Sequence, residues 1–143
     1  MKKGVFITVV MELMLAAFTA CSKSSTTDPS SGPHIVDFTD NTTPVVDIYT
    51  PGDNQSFSTG DTIKITGRVT DNGLYQGFVR ITNDANSVIL KEQLYEIHGF
   101  QFYNFSVNYK TSVTVASDYT ITVQFEDHGL NAGVKTVKVK VNP

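Results

Sequence analysis

Few residues in this chain have the type and spacing that catalysis demands. Cys21 is its single cysteine, which excludes an internal disulfide and any site built on several thiolates. His34, His98 and His128 are widely separated and show no His-Glu-x-x-His pattern, so no zinc site is expected. No Gly-x-Ser-x-Gly elbow or comparable nucleophile context occurs, and the sequence predicts no enzyme.

Two groups of residues do suggest binding. Asp71 and Asn72 close one predicted strand, and Glu126 and Asp127 close another. If those loops meet at one end of a β-fold, they offer Ca²⁺ the hard oxygen ligands it takes. Asp and Asn are also what turns prefer, so no cofactor is expected to be required. The second group is the strip Phe100-Gln-Phe-Tyr-Asn-Phe-Ser-Val-Asn-Tyr109. Strand alternation puts Phe100 and Phe102 on one face and Tyr103, Phe105, Val107 and Tyr109 on the other. One face must be core; the other leaves Phe100 or Phe102 in solvent beside Asn104. Exposed rings beside an amide suit sugar stacking or a protein docking patch. The absence of tryptophan, the widest stacking platform, weakens the sugar reading.

The elements that must position these residues are strands. From Pro44 onward the apolar period is two: Ile63, Ile65 and Val69 alternate with Lys64, Thr66 and Arg68, and Tyr119, Ile121, Val123 and Phe125 repeat the pattern. Val137, Val139 and Val141 alternate with Lys138 and Lys140; with Lys135 these read as a solvated face that discourages edge pairing. Turn residues at 50–54, 71–73, 83–86, 98–99 and 127–131 divide the chain into strands at 45–50, 62–70, 74–82, 88–95, 100–109, 119–126 and 134–141. A further short piece is expected around Val113 and Val115. Such spacing predicts an all-β, two-sheet antiparallel sandwich of about seven strands. With apolar residues at 40% and charged residues at 17%, the composition is that of an ordinary globular domain. The net charge of −3 gives no electrostatic reason to seek nucleic acid.

The start of the chain reads as an address. Lys2 and Lys3 precede an apolar stretch that ends in small residues before Cys21, the pattern of a secretory signal over residues 1–20. Glu12 interrupts the stretch, which is also short for a membrane span. Phe18-Thr-Ala-Cys21 resembles a bacterial lipobox, with Phe18 in place of the usual aliphatic residue. The resemblance implies a lipid on the Cys21 thiol, and two or more acyl chains hold firmly to a bilayer. Residues 21–43, rich in Ser, Thr, Pro and Gly, then read as a flexible tether ahead of a domain at 44–143. Within the tether, His34-Ile-Val-Asp-Phe38 is a brief apolar patch suited to docking as an extra edge strand.

Pro44-Val-Val-Asp-Ile-Tyr-Thr-Pro-Gly-Asp53 with Gly60-Asp-Thr-Ile-Lys-Ile-Thr-Gly-Arg-Val-Thr-Asp-Asn72 resembles the opening of a bacterial immunoglobulin-like domain. Tyr119 to Asp127 is similar to the penultimate strand of that class, and Val134 to Val141 to its last. Leu130 departs from the pattern, standing where such domains often have glycine. Tyr119 is expected in a tyrosine-corner role, its ring packed and its hydroxyl on nearby backbone. The resemblance implies a lipoprotein of the bacterial outer membrane, facing periplasm or exterior, and with no catalytic motif present the chain is expected to be a non-catalytic module for adhesion, scaffolding or protein contact. The aromatic strip gives the alternative, a small glycan-binding lipoprotein beside an uptake system with Phe100, Phe102 and Asn104 as its site. The partners are thus the membrane, through the anchor, and an envelope protein or glycan. Asp61-Thr62-Ile63 resembles a short glycosylation pattern in which Thr62 carries the sugar.

Overall fold

The structure is a computed structural model, and it describes residues 39–143. Residues 1–38, with the expected signal, Cys21 and the His34–Phe38 patch, lie outside the described residues. Six strands follow in order: β1 (Val45–Thr50), β2 (Gln55–Ser58), β3 (Thr62–Asn83), β4 (Ile89–Lys110), β5 (Ser117–Asp127) and β6 (Ala132–Asn142). The fold is an all-β sandwich, as the alternation predicts, of the immunoglobulin-like kind that the resemblance implies.

The strand count differs from the expected seven for a physical reason. Segments 62–70 and 74–82 are one continuous strand, β3, and segments 88–95 and 100–109 are one, β4. Asp71-Asn-Gly73 and His98-Gly99, read as turns, are instead corners inside strands. The β3–β4 register slips between Thr70 and Leu74 and again between Leu74 and Gln76. Extra residues at such a bulge bend the strand sharply without ending it. The chain therefore keeps its ladder while folding from one layer into the other.

Each half of β3 belongs to a different layer. Its first half pairs with β1 and with the second half of β4, as in Thr62↔Lys110 and Thr70↔Phe102. Its second half pairs with the first half of β4 and with β5, which continues to β6 and β2. The first layer thus has three strands and the second five. One pairing departs from the antiparallel expectation: β2 runs parallel to β6, from Gln55↔Val139 to Ser58↔Asn142. No strand forms around Val113 and Val115.

The core between the layers is aliphatic with aromatic centres, and every residue of the three predicted alternations that should face inward is buried. Gly67 pairs with Phe105 in the first layer, and Gly77 with Phe125 in the second. A Cβ on Gly67 would lie 2.1 Å from the Asp47 carbonyl oxygen and 2.3 Å from Phe105 Cζ. A Cβ on Gly77 would lie 2.1 Å from Phe125 Cδ1. Each phenylalanine ring leans over the strand position that has no side chain. The two rings then stack on one another across the layers, with centroids 5.8 Å apart. Tyr95, across Gly77 from Phe125, joins them at 5.7 Å. Tyr119 is buried as expected, and its ring meets that of Tyr109 edge-on with centroids 6.3 Å apart.

Tyr95 brings a liability into this packing. Its hydroxyl oxygen is buried without a hydrogen-bond partner among the described residues. Burial, with Tyr103 beside it, pushes the phenol up to about 12. A buried donor left unpaired costs about 1–3 kcal/mol. Tyr95→Phe is therefore expected to stabilise the domain by about 1 kcal/mol in urea unfolding. Gly67→Ala drives a methyl into backbone and ring together, and should cost about 2–3 kcal/mol, the scale of overpacking.

Candidate functional site

The two corners and the β5–β6 loop meet at one end of the sandwich, and this end gathers the polar side chains. Carboxylate oxygens of Asp40, Asp71 and Asp127 all lie within 4.8 Å of one another. Asp71 and Asp127 are two of the four residues singled out as oxygen ligands. The other two do not join them. Glu126, next to Asp127 on β5, points to the opposite face and accepts a hydrogen bond from Gln76 Nε2. Asn72 is exposed at the corner. The third carboxylate comes from Asp40, a residue the composition assigns to the tether.

Local hydrogen bonds hold each of these groups. Asp127 is fully buried at the end of β5; its Oδ1 accepts from the Asn131 N–H and its Oδ2 from Asn131 Nδ2, both at 2.8 Å. Asp71 Oδ1 accepts from the Gly73 N–H at 2.9 Å, which forms the corner's Asx turn. Asp40 Oδ1 accepts from the Thr42 N–H and hydroxyl, and the Asp40 carbonyl accepts from Asn131 Nδ2 at 2.8 Å. The oxygen chemistry is that of a hard-cation site. Yet the donors of Asn131, Thr42 and Gly73 already tend the carboxylates, so the cluster also serves to tie the corner, the β5–β6 loop and the approach to β1 together.

Leu130 carries this loop through φ 64°, the left-handed region a glycine takes freely, and its side chain is exposed. The departure noted in the sequence thus falls on a residue that adopts glycine's conformation without being glycine. The same end brings His98 and His128 together, which their sequence separation hides. Both rings pack on Tyr75 with centroids 4.7 Å away, and they lie 5.5 Å from each other.

The aromatic strip lies on the outer face of the first layer. Phe100 is 54% exposed and Phe102 51%, and Asn104 is exposed beside them. Tyr103 is half-buried, and Phe105 and Val107 face the core. Val45, Thr70 and Phe102 form one cross-strand row, and Asp47, Arg68 and Asn104 the next. The Arg68 guanidinium sits 4.6 Å from the centroid of the Phe102 ring, a cation–π contact on a solvent-facing aromatic. On the second layer a shallow cleft of about 270 Å³ is lined by Gln76, Phe78, Leu94, Glu96, Gln124 and Glu126. Two of the lysines read as a solvated face are paired: Lys135 with Asp47 at 3.6 Å, and Lys138 with Asp84 at 3.1 Å.

Residues 44–98 match the family model described as a bacterial Ig domain. Its fold is similar to that of an engineered protein of known crystal structure, at 15% identity and TM-score 0.50 over 70% of this chain. That alignment takes in 20% of the engineered protein's length. It is also similar to the CARDB domain of a Pyrococcus furiosus protein crystallised with di-metal ions (14% identity, TM-score 0.43, 70% of this chain and 91% of that one). Murine CRIg is a third (11% identity, TM-score 0.42, 69% and 96%). Among curated proteins none matches the chain.

The three-carboxylate end has a measurable consequence. Burial pushes the Asp71 carboxyl above its usual 3.8, and Asp127 and Asp40 add to this against the pull of the Gly73 N–H. A carboxyl that titrates higher when folded contributes stability fully below 3.8 and loses it as pH rises through the folded value. Asp71→Asn keeps an acceptor for Gly73 and removes the charge. It should raise the melting midpoint by a few degrees at neutral pH, with the gain fading as pH falls toward 3.8.

Proposed function

We propose that this immunoglobulin-like domain is a non-catalytic, lipid-anchored module of the bacterial cell envelope that binds protein through the outer face of its first layer. The observation that supports this most is the pair of rings, Phe100 and Phe102, held half in solvent by a rigid strand. Large apolar side chains in a row on a sheet's wet face make a contiguous apolar patch, the kind of surface that marks an interaction site. Val45 stands in the same row at 58% exposure and widens the patch. Arg68 and Asn104 supply polar contacts at its margin, the mixture of aromatic and arginine that interface centres favour.

Glycan binding is the lesser reading, for a geometric reason. A sugar ring stacks on the open face of an aromatic, and Arg68 covers one face of Phe102. A protein partner instead gains from that arginine, whose planar head pairs with carboxylates and backbone carbonyls. The lipid on Cys21 would moor the domain at the outer membrane, with the Ser/Thr-rich stretch ahead of Asp40 as the spacer between bilayer and sandwich.

The reading has two separable parts. Metabolic labelling with a fatty acid should mark the native chain and leave Cys21→Ser unlabelled and released from the membrane fraction. A photo-reactive side chain at Asn104 should give protein adducts in intact envelopes. Phe100→Ala with Phe102→Ala should lower those adducts at least tenfold at unchanged melting temperature. Retention of a polysaccharide by the native domain, lost in the same double variant, would replace the protein reading with the glycan one.

A further inference from the structure

We infer that a second copy of this chain adds antiparallel to the open edge of β4, residues 100–110 of the two copies pairing about a twofold axis at Phe105. The inference deepens the protein-contact reading by naming the partner. It begins with the backbone. β4 bonds β3 along one edge through both layers, and among the described residues no strand pairs with its other edge. A row of unpaired N–H and C=O groups is a template for another strand, and the added ladder supplies affinity that side chains then make specific.

Exposed edges in natural sheets are blunted by charge, proline, bulges or shortness. The other edges here follow that rule. β2 is only four residues long, and β1 carries Asp47 in an ion pair with Lys135. The first half of β4 bears Lys91, Glu92 and Glu96. From Phe100 to Tyr109 there is no charge, no proline and no glycine, and aromatic residues recur throughout. This is the composition of a segment that pairs readily with its own kind. It also lies on the layer with fewer strands, where an added strand extends the smaller sheet.

The segment's own sequence favours a copy of itself as the occupant. The corner near Gly99 bounds the straight run at Phe100, and the strand ends at Lys110. The midpoint of that run is Phe105, and pairing about it uses every residue between bend and strand end. Phe100 then opposes Lys110, Phe102 opposes Asn108 and Asn104 opposes Ser106, all on the outer face. Tyr103 opposes Val107 on the inner face. Directly opposed side chains in an antiparallel pair are close enough to interact. Lys110, the only charge in the run, meets the Phe100 ring as a cation over an aromatic face, and twofold symmetry repeats the contact. No like charges face each other. The half-exposed Phe100 and Phe102 gain a neighbour, and Leu94, 66% exposed, stands on the same flank of the molecule.

The test is a charge exchange at the centre of the pairing, read as the mass of the full chain in density-matched detergent by sedimentation equilibrium. Asn104 and Ser106 are exposed on one face of the same strand, so both variants leave the core untouched, and both set the same Asn104→Lys change opposite Arg68, so any cost of that like-charge pair is common to the two. The native chain is expected at twice the monomer mass. Asn104→Lys with Ser106→Lys sets lysines against each other across the axis and should halve that mass. Asn104→Lys with Ser106→Glu sets opposite charges there and should restore it. A dimer that survives the double lysine places the contact elsewhere and overturns the inference. A native chain that is monomeric, or that dimerises only when residues 34–38 are deleted, overturns it too; the second result assigns the edge to the chain's own tether. A monomeric native chain that still gives ring-dependent adducts with another protein leaves the protein-contact reading standing without a second copy.

Discussion

The stacking of Phe105 on Phe125 sets the geometry on which the rest of the molecule depends. Sheets pack about 10 Å apart, and that gap must be filled without voids. With no tryptophan and no disulfide to span it, two phenylalanines from opposite layers meet in the middle. Each can lean inward only because its neighbour on β3 is a glycine, Gly67 on one side of the corner and Gly77 on the other. The two glycines lie on one strand because β3 serves both layers. A strand that ended at residue 70 would supply only one of them.

That single strand also explains where the polar end lies. When β3 turns its corner at Asp71–Gly73, the end of β5 comes alongside, and the His128 N–H bonds the Gly73 carbonyl at 3.1 Å. Asp127 is carried inward by the same alternation that buries Phe125, so a carboxylate enters the core's rim by parity and not by preference. The fold then has to supply donors to it, which Asn131 does with both its backbone and its side chain. Asp71 and Asp40 crowd the same space, and their mutual repulsion is the cost of anchoring three segments at one point.

Much of the fold is legible in the sequence because alternation is a local signal with a single consequence: every other residue is buried. It places Ile63, Ile65, Val69, Ile121, Val123, Phe125, Val137, Val139 and Val141 in the core without any knowledge of pairing. It does not distinguish a turn from a bulged corner, since Asp-Asn-Gly serves both, and so it cuts β3 in two. β2 escapes for a related reason. Gln55-Ser-Phe-Ser58 has one apolar residue among turn formers, and it becomes a strand through its parallel partner β6. The outer position of Phe100 and Phe102 follows from parity once Phe105 is taken as core. The company of Asp40 does not, because it is separated by 31 residues from Asp71 and 87 from Asp127 in sequence, and only the corner brings them together.

The two flanks of the sandwich answer the edge problem in opposite ways. At the edges formed by β1 and β2, short strands and the Lys135–Asp47 pair keep the backbone from recruiting neighbours. On the flank of β4, a long strand presents its backbone openly, and the charge that defends its first half stops at the corner. Since β4 is continuous, one residue's change of direction divides a guarded stretch from an unguarded one. A folded monomer gains nothing from leaving amides unpaired beside exposed phenylalanines, because each competes with water for bonds that a strand would make better. Retaining both features on one edge, while charge guards the rest, is the physical asymmetry on which the proposed contact with another polypeptide rests.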